Sequence, residues 1–397
     1  MRIGLRDIQY KLLQGFFWML FGLATIFITV FMRSQGISAI VIGVIIAASN
    51  VIAAPGQVLV GTLVDKYEKI NWKNLMLFLG AVELVLLVIM IIFRQNHLLN
   101  AILFPAFSIL LYLQNPLVNS ALFYYTSRGE FIDFGTARGT GSLAYAFMTF
   151  IVGNSIVAFG EFSIVVIGLI MLVMAGALVM TMPIYSKEQD ALNPSIKDEP
   201  ELLADNSSIV QFIRKYPMFM MTVLGSVMFM CFHNMIHTYM IMIIESVGGN
   251  SGTLGTAMSI EALIELPVMF GFFFLIRRIS SRNLMAIASI GFLVKAVGYF
   301  FAFSIGTVYM VQCIQMISYA VFASASVYYS DDMMEANDKA KGQGYMTAAV
   351  AIGGAIGNAV GGWAVEAGGV RLVEVIGIAF AAAGACLVLI GTRKKEI

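Results

Sequence analysis

Long apolar runs alternate with short polar gaps along the whole chain. The runs fall at roughly 12–32, 37–64, 75–93, 101–126, 136–159, 162–184, 217–246, 253–276, 284–303, 308–329, 344–366 and 370–392. A helix needs about 20 consecutive apolar residues to span a bilayer, so the pattern predicts an all-α membrane protein with twelve transmembrane helices. The longest polar segment, 185–216, contains two prolines, many charges and no apolar period, which is linker composition. It divides the runs six and six. The expected organisation is an N-terminal six-helix half at 1–184, a linker at 185–216 and a C-terminal six-helix half at 217–397.

Charge fixes the orientation. With both termini placed in the cytoplasm, the inside segments collect Arg2, Arg6, Lys11, Lys66, Lys69, Lys73, Arg128, Lys187, Lys197, Arg214, Lys215, Arg277, Arg278, Arg282, Lys339, Lys341, Arg393, Lys394 and Lys395, which is 19 of the 24 basic residues. Only Arg33, Arg94 and Arg371 fall in outside loops. This bias predicts cytoplasmic termini, a cytoplasmic linker and a multi-pass location in the inner cell membrane. Charged residues make up 12% of the chain, about half the soluble norm of about 25%. The net charge of +1 suggests no nucleic acid, and lipid is the expected surrounding partner. Cys231, Cys313 and Cys386 all lie inside predicted spans, where no disulfide framework is expected. The first run is full length and reads as a retained span rather than a signal peptide.

The two halves echo one another. Ala137-Arg138-Gly139-Thr140-Gly141 opens span five and Ala340-Lys341-Gly342-Gln343-Gly344 opens span eleven; Gly153-Asn154 recurs as Gly357-Asn358. Lys73-Asn74-Leu75-Met76 opens span three, and Arg282-Asn283-Leu284-Met285 opens span nine. Each echo links a span to the sixth one after it. Two six-helix repeats related by an axis along the membrane normal describe the major facilitator architecture, which places a solute site at the midplane where the halves meet.

Polar groups inside the apolar runs are the candidates for chemistry, since a charge at mid-bilayer costs about 2.5–3.5 kcal/mol on insertion scales. They are Glu83 in span three, Arg138 in span five, Glu261 and Glu265 in span eight, and Lys295 in span nine. Glu261 and Glu265 are four apart and share a helix face. Two such carboxylates do not both ionise readily, and a carboxyl that exchanges its proton is what proton coupling needs. Lys295 is the expected counter-charge, and a purely structural Glu–Lys pair is the alternative. His233 and His237 also share a face. That spacing suits metal ligation, but no third ligand is evident, so contact with solute or proton, or packing, is expected and no metal. Asn115 and Asn119 in span four, with Gln312 and Gln315 in span ten, serve either to recognise a hydroxylated solute or to join helices. Prolines 55, 116 and 267 are expected to kink their spans. Glycines 353, 354, 357, 361 and 362 are expected to let helices approach closely. Glu366 and Glu374 flank the last outside loop, where water would reach them.

Three segments resemble the lactose-permease-like sugar–proton symporters of the major facilitator superfamily, a group that includes phenylpropionate permeases. FIDFGTARGTGSLAY (131–145) is similar to that family's entry to the fifth helix. GTLVDK (61–66) resembles the Gly-x-x-x-Asp-Arg/Lys signature of the loop between spans two and three, which implies a gate built from Gly61, Asp65 and Lys66. SRNLMAIASIGFLVKAVG (281–298) is similar to the ninth helix, with Lys295 on the family's arginine. The resemblance implies that Arg138 grips the solute and that Tyr145 replaces the family's stacking tryptophan. The family's sugar-binding glutamate falls near Ser120, and its histidine and proton-carrying glutamate in span ten fall near Gln315 and Ser318. Proton carriage would therefore have moved to Glu261 or Glu265, or been lost.

Together these features predict a monomeric, non-enzymatic secondary transporter without cofactors, importing a small organic solute such as an oligosaccharide or glycoside with protons. Efflux of drugs or metabolites, and a membrane sensor that binds solute without moving it, are the rival classes. Span five contains no proline, whereas exporters of the superfamily usually carry a Gly-Pro motif there. No Gly-x-x-x-x-Gly-Lys-Ser/Thr loop is present to bind ATP.

Overall fold

A computed structural model describes residues 4–67, 70–185, 209–335 and 338–393, without the side chains of Asp65, Ile209, Val210 and Ala340. Every regular element among the described residues is a helix. The first group comprises α1 (Leu5–Ile26), α2 (Ile28–Ser34), α3 (Ala39–Lys66), α4 (Trp72–Ile92), α5 (His97–Thr126), α6 (Phe134–Phe159) and α7 (Ser163–Thr181). The second comprises α8 (Ile209–Lys215), α9 (Pro217–Ser246), α10 (Ser251–Ile276), α11 (Ser281–Phe300), α12 (Ile305–Gln312), α13 (Tyr319–Met333) and α14 (Lys339–Gly391). Most of the expected linker, 186–208, lies outside the described residues, and its end forms the short helix α8. Helix starts carry side chains that accept from otherwise orphaned backbone N–H groups: Asn71, Asn96, Asp133, Ser280 and Ser304 each cap their helix, and Asn250 caps α10 in a reciprocal box with Thr253.

Among the described residues, ten helical stretches are long and apolar enough to cross a membrane, and the bent pair α1–α2 makes an eleventh. The runs expected at 344–366 and 370–392 form one stretch of 53 residues, α14. A continuous helix of that length would measure about 80 Å, far more than a hydrocarbon core of about 30 Å, but α14 is two helices. It is interrupted at Gly368 and Gly369, and Gly369 has a φ of +65° that only glycine takes without strain.

The breaks do not fall at the prolines. Pro55, Pro105, Pro116 and Pro267 all lie inside helices that continue through them. The first run instead bends by 46° at Phe27, α9 departs from helical geometry at Tyr239, and span ten is broken by a 3₁₀ turn at Cys313–Met316 between α12 and α13. Gly291 of α11 makes room for that last break, because a Cβ there would lie 2.7 Å from the Ile317 carbonyl oxygen.

The chain divides into two compact units. One comprises 1–37 with 49–201, and the other comprises 38–48 with 202–397. In the first, α1 packs on α6, α7 and α5, and α4 packs on α5 and α7. Its core includes Tyr10, Leu13, Phe17, Trp72, Met76, Leu117, Tyr125 and Ala137. In the second, α14 packs along α9 and against α11 and α13, while α10 packs on the 3₁₀ turn and α13. The first turn of α3 belongs to this second unit. Glu366 Oε1 accepts from the Ile40 N–H at 3.0 Å, and the Tyr239 hydroxyl donates to the carbonyls of Asn358 and Ala39. Glu366 is exposed, as expected, and also accepts at the start of α3. Glu374, expected to be wetted, is instead buried and paired with Arg371 at 3.1 Å.

Both units carry a polar clasp built from the start of their first helices and the turn before α6 or α14. In the first unit Arg6 and Glu130 meet at the Tyr185 hydroxyl, which donates to Glu130 at 2.8 Å. In the second, Lys215 donates to Glu335 at 2.8 Å and Asp338 at 2.7 Å, and Tyr216 also donates to Asp338. These carboxylates hold the Lys215 ammonium well above its ordinary range.

Small residues set the spacing of α9 and α14. A Cβ at Gly353 would meet Met230 and the Val227 carbonyl, one at Gly357 the Cys231 backbone, and one at Gly361 Met235 and Tyr239. Gly357→Ala gains about 1 kcal/mol of helix propensity but collides with backbone, which cannot rotate away. Overpacking of this kind costs about 1–3 kcal/mol, so a lowered Tm is expected. Gly344→Ala, where nothing lies within 4 Å, is the control and is expected to hold or raise Tm.

Candidate functional site

Each unit gathers its polar side chains into a distinct cluster. In the first unit, Asp133 caps α6 by accepting from the Thr136 N–H, which sets Arg138 in the second turn. Arg138 Nη1 donates to Ser142 Oγ at 2.8 Å, and the guanidinium lies 4.1 Å above the Trp18 ring of α1, a cation–π arrangement. Trp18 donates to Gln14, and Gln14 to the Tyr10 hydroxyl, so one face of α1 carries a ladder of polar contacts at four-residue spacing. Gly141 leaves the space that Trp18 fills. Trp18 supplies an aromatic face for Arg138, and Tyr145 sits against Gly22. The composition of α6 could not reveal this partner, because Trp18 lies in an apolar run whose facing helix no periodicity identifies.

The span-four amides separate. Gln114 is buried and donates to Glu83 Oε1 at 2.7 Å. Asn115 is half-buried and Asn119 is exposed. Glu83, fully buried, has no hydrogen-bond partner for its second oxygen among the described residues. Gly61, Asp65 and Lys66 occupy the last turns of helix α3 and not a loop. Lys66 is exposed, Gly61 has open space beside it, and the Asp65 side chain lies outside the described residues.

In the second unit four helical segments bring most of the expected residues together. Lys295 of α11 donates to Glu261 Oε1 at 2.8 Å and to Gln315 Oε1 at 2.5 Å. Gln315, on the 3₁₀ turn, donates onward to Glu265 Oε1 at 2.8 Å. His237 of α9 meets Glu261 Oε2 through Nε2 at 2.8 Å. The result is a linear chain: His237, Glu261, Lys295, Gln315, Glu265. Its centre is sealed, with the Lys295 and Glu261 side chains 2% and 4% exposed, while His237 keeps 25%. Lys295 therefore pairs directly with Glu261, and the Gln315 amide links it to Glu265. His233 lies 4.9 Å from His237 between ring centroids and stacks on Tyr319 at 4.8 Å and 14°. Gln312 stands apart, accepting from the Tyr299 hydroxyl at 2.6 Å in a buried pocket.

A buried ion pair survives at this depth only when its remaining lone pairs and protons are satisfied. Here both oxygens of Glu261 accept, and Lys295 donates twice. The arrangement offers no nucleophile with an adjacent base. It offers instead a charge-balanced core with two wetter ends.

The profile of the MFS_1 like family matches residues 8–373, nearly the whole chain. The chain belongs to the major facilitator superfamily. It is a multi-pass membrane protein with the fold of a secondary transporter. Two solved structures of the nucleoside transporter NupG have a similar fold. The D323A mutant gives a TM-score of 0.77 at 16% identity, covering 97% of this chain and 98% of that one. The other NupG structure gives 0.75 at 15% identity with the same coverage. No curated protein matches the sequence.

Proposed function

We propose that this superfamily member imports a small organic solute together with protons by alternating access. The carrying observation is the buried chain from His237 to Glu265. Titratable groups are costly at membrane depth and mark ion pathways, and a structural pair would need only Glu261 and Lys295. Glu265, half-buried and linked to that pair through the Gln315 amide, is the proton carrier in this reading. Arg138 over Trp18 is the solute clamp of the N-terminal half, assisted by Tyr145, Asn115 and Asn119. The solute is an oligosaccharide or glycoside. Nucleosides are N-glycosides, so the solute class of the nucleoside transporter NupG belongs in the same screen.

The finer architecture belongs to the same proposal. Counting α1–α2 as one span, α12–α13 as one and α14 as two divided at Gly368–Gly369 gives twelve. Both termini are cytoplasmic, and the halves are 1–184 and 217–397. The protein works as a monomer in the inner cell membrane, gated at Gly61, Asp65 and Lys66. One proton crossing at 100 mV releases about 2.3 kcal/mol, which at about 1.4 kcal/mol per tenfold supports a gradient of roughly forty- to fiftyfold.

A thermal-shift screen against sugars, glycosides, nucleosides and aromatic acids is expected to find a solute that raises Tm, as binding to the folded state requires. That solute is then followed in proteoliposomes under an imposed proton gradient. Glu265→Gln mimics the protonated carboxyl and cannot release a proton, so it is expected to exchange solute across the membrane yet fail to concentrate it. Full concentrative uptake by Glu265→Gln and by Glu261→Gln would sink the proton-coupling assignment.

A further inference from the structure

The two ring nitrogens of His237 have different surroundings. Nε2 is 2.8 Å from Glu261 Oε2, and the other oxygen of that carboxylate accepts from Lys295 at 2.8 Å. Nδ1 makes no hydrogen bond among the described residues. A carboxylate has only lone pairs to offer, so the contact at Oε2 requires the hydrogen to sit on Nε2. A neutral imidazole carries one N–H, which leaves Nδ1 as an acceptor. Lys295 offsets Glu261 directly, so the ring is taken as neutral.

We propose that His237 is a solute-reading residue with a locked tautomer. The sealed Glu261–Lys295 pair holds it in the Nε2–H form, and Nδ1 accepts a hydrogen bond from a hydroxyl or N–H of the solute. This rests on the transport reading above and deepens it. Glu261 and Lys295 become positioning residues, acting on the solute through the ring, in the way buried partners fix the tautomers of other functional histidines. Beside the ring, His233 stacked on Tyr319 supplies a flat apolar surface. The ligand that fits is a neutral molecule pairing a donor with a ring face, such as a sugar ring or a nucleobase. A carboxylate placed at Nδ1 would bring lone pairs against a lone pair, so aromatic acids are disfavoured at this position.

The tautomer is directly measurable by nitrogen-15 resonance on histidine-labelled protein in nanodiscs. The chain holds three histidines, and the signals missing from His237→Asn assign the relevant ring. The expected parent spectrum has an unprotonated Nδ1 and a slowly exchanging, downfield Nε2 proton at neutral pH. Glu261→Gln is expected to give a mixture of tautomers, because an amide can donate or accept. A protonated Nδ1 in the parent, or an unchanged spectrum in Glu261→Gln, would overturn the proposal. This measurement needs no solute, so it stands apart from the transport reading, which fails by itself if no compound accumulates.

The solute contact has its own readout, with uridine and methyl β-galactoside as probes in thermal shift. His237→Asn places an amide oxygen near the position of Nδ1, whereas His237→Gln fills only the position of Nε2. Asn is expected to retain most of the parent's shift with whichever probe binds, and Gln to lose most of it. Equal shifts in the two variants would overturn the solute role.

Discussion

Lys295→Met is expected to cost about 3–5 kcal/mol of stability, the usual consequence of removing one partner from a buried ion pair, and to abolish concentrative uptake. The cause is what remains. Glu261 is 4% exposed and would keep only the His237 contact, while the Gln315 carbonyl would lose its ammonium donor. Glu261→Gln combined with Lys295→Met removes both charges and is expected to cost less than the sum of the single changes by more than 1 kcal/mol. A double-mutant cycle on denaturation in detergent measures that coupling. The parallel cycle with Glu265 is expected to show weaker coupling, since the Gln315 amide intervenes. Strict additivity at Glu261 would mean that the observed contact contributes nothing.

Arg138→Lys is expected to insert and fold with a Tm near that of the parent yet lose uptake. A guanidinium presents a planar fork that lies on an indole face and grips two oxygens at once, whereas an ammonium is a compact point charge. Loss of one charge-assisted hydrogen bond, about 1.5–3 kcal/mol, corresponds to roughly a ten- to hundredfold loss of apparent affinity. Initial-rate uptake across solute concentrations, with expression and Tm as controls, provides the measurement. Parental transport by the lysine variant would reduce Arg138 to a helix anchor. Trp18→Leu is the companion variant, expected to raise the KM of uptake while leaving insertion intact.

The helical membrane class was legible in the sequence because its cause is local: a run of apolar residues declares a span. The Gly368–Gly369 break falls in the expected gap between the last two runs, but the interruptions inside the expected spans were not legible. Pro116 and Pro267 looked like the natural breaking points, yet α5 and α10 continue through them, while Phe27, Tyr239 and the Cys313–Met316 turn, none of them a residue type known to break helices, interrupt theirs. At those positions tertiary packing overrides propensity.

The site followed the same division. That Glu261, Glu265 and Lys295 belong together could be inferred from the cost of leaving charge alone in hydrocarbon. Which glutamate receives the lysine depends on how α10 and α11 cross, and a one-dimensional pattern carries no such angle. Gln315 stood out only as an amide in an apolar run, and its place as the bridge to Glu265 depends on the irregular turn that carries it. Trp18 left no mark because large apolar residues are common throughout these helices.

Gly291 shows how little separates a connected chain of charges from a severed one. It has no functional group, and its contribution is the absence of a methyl where the Ile317 carbonyl passes. That gap lets the turn bearing Gln315 lie close enough to α11 for the amide to reach Lys295. An alanine at 291 would leave every ionisable residue in place and still move the bridge outward by a few tenths of an ångström or more. Two homologues with identical polar residues would then differ in whether Lys295 is joined to Glu265, through the thickness of a single helix.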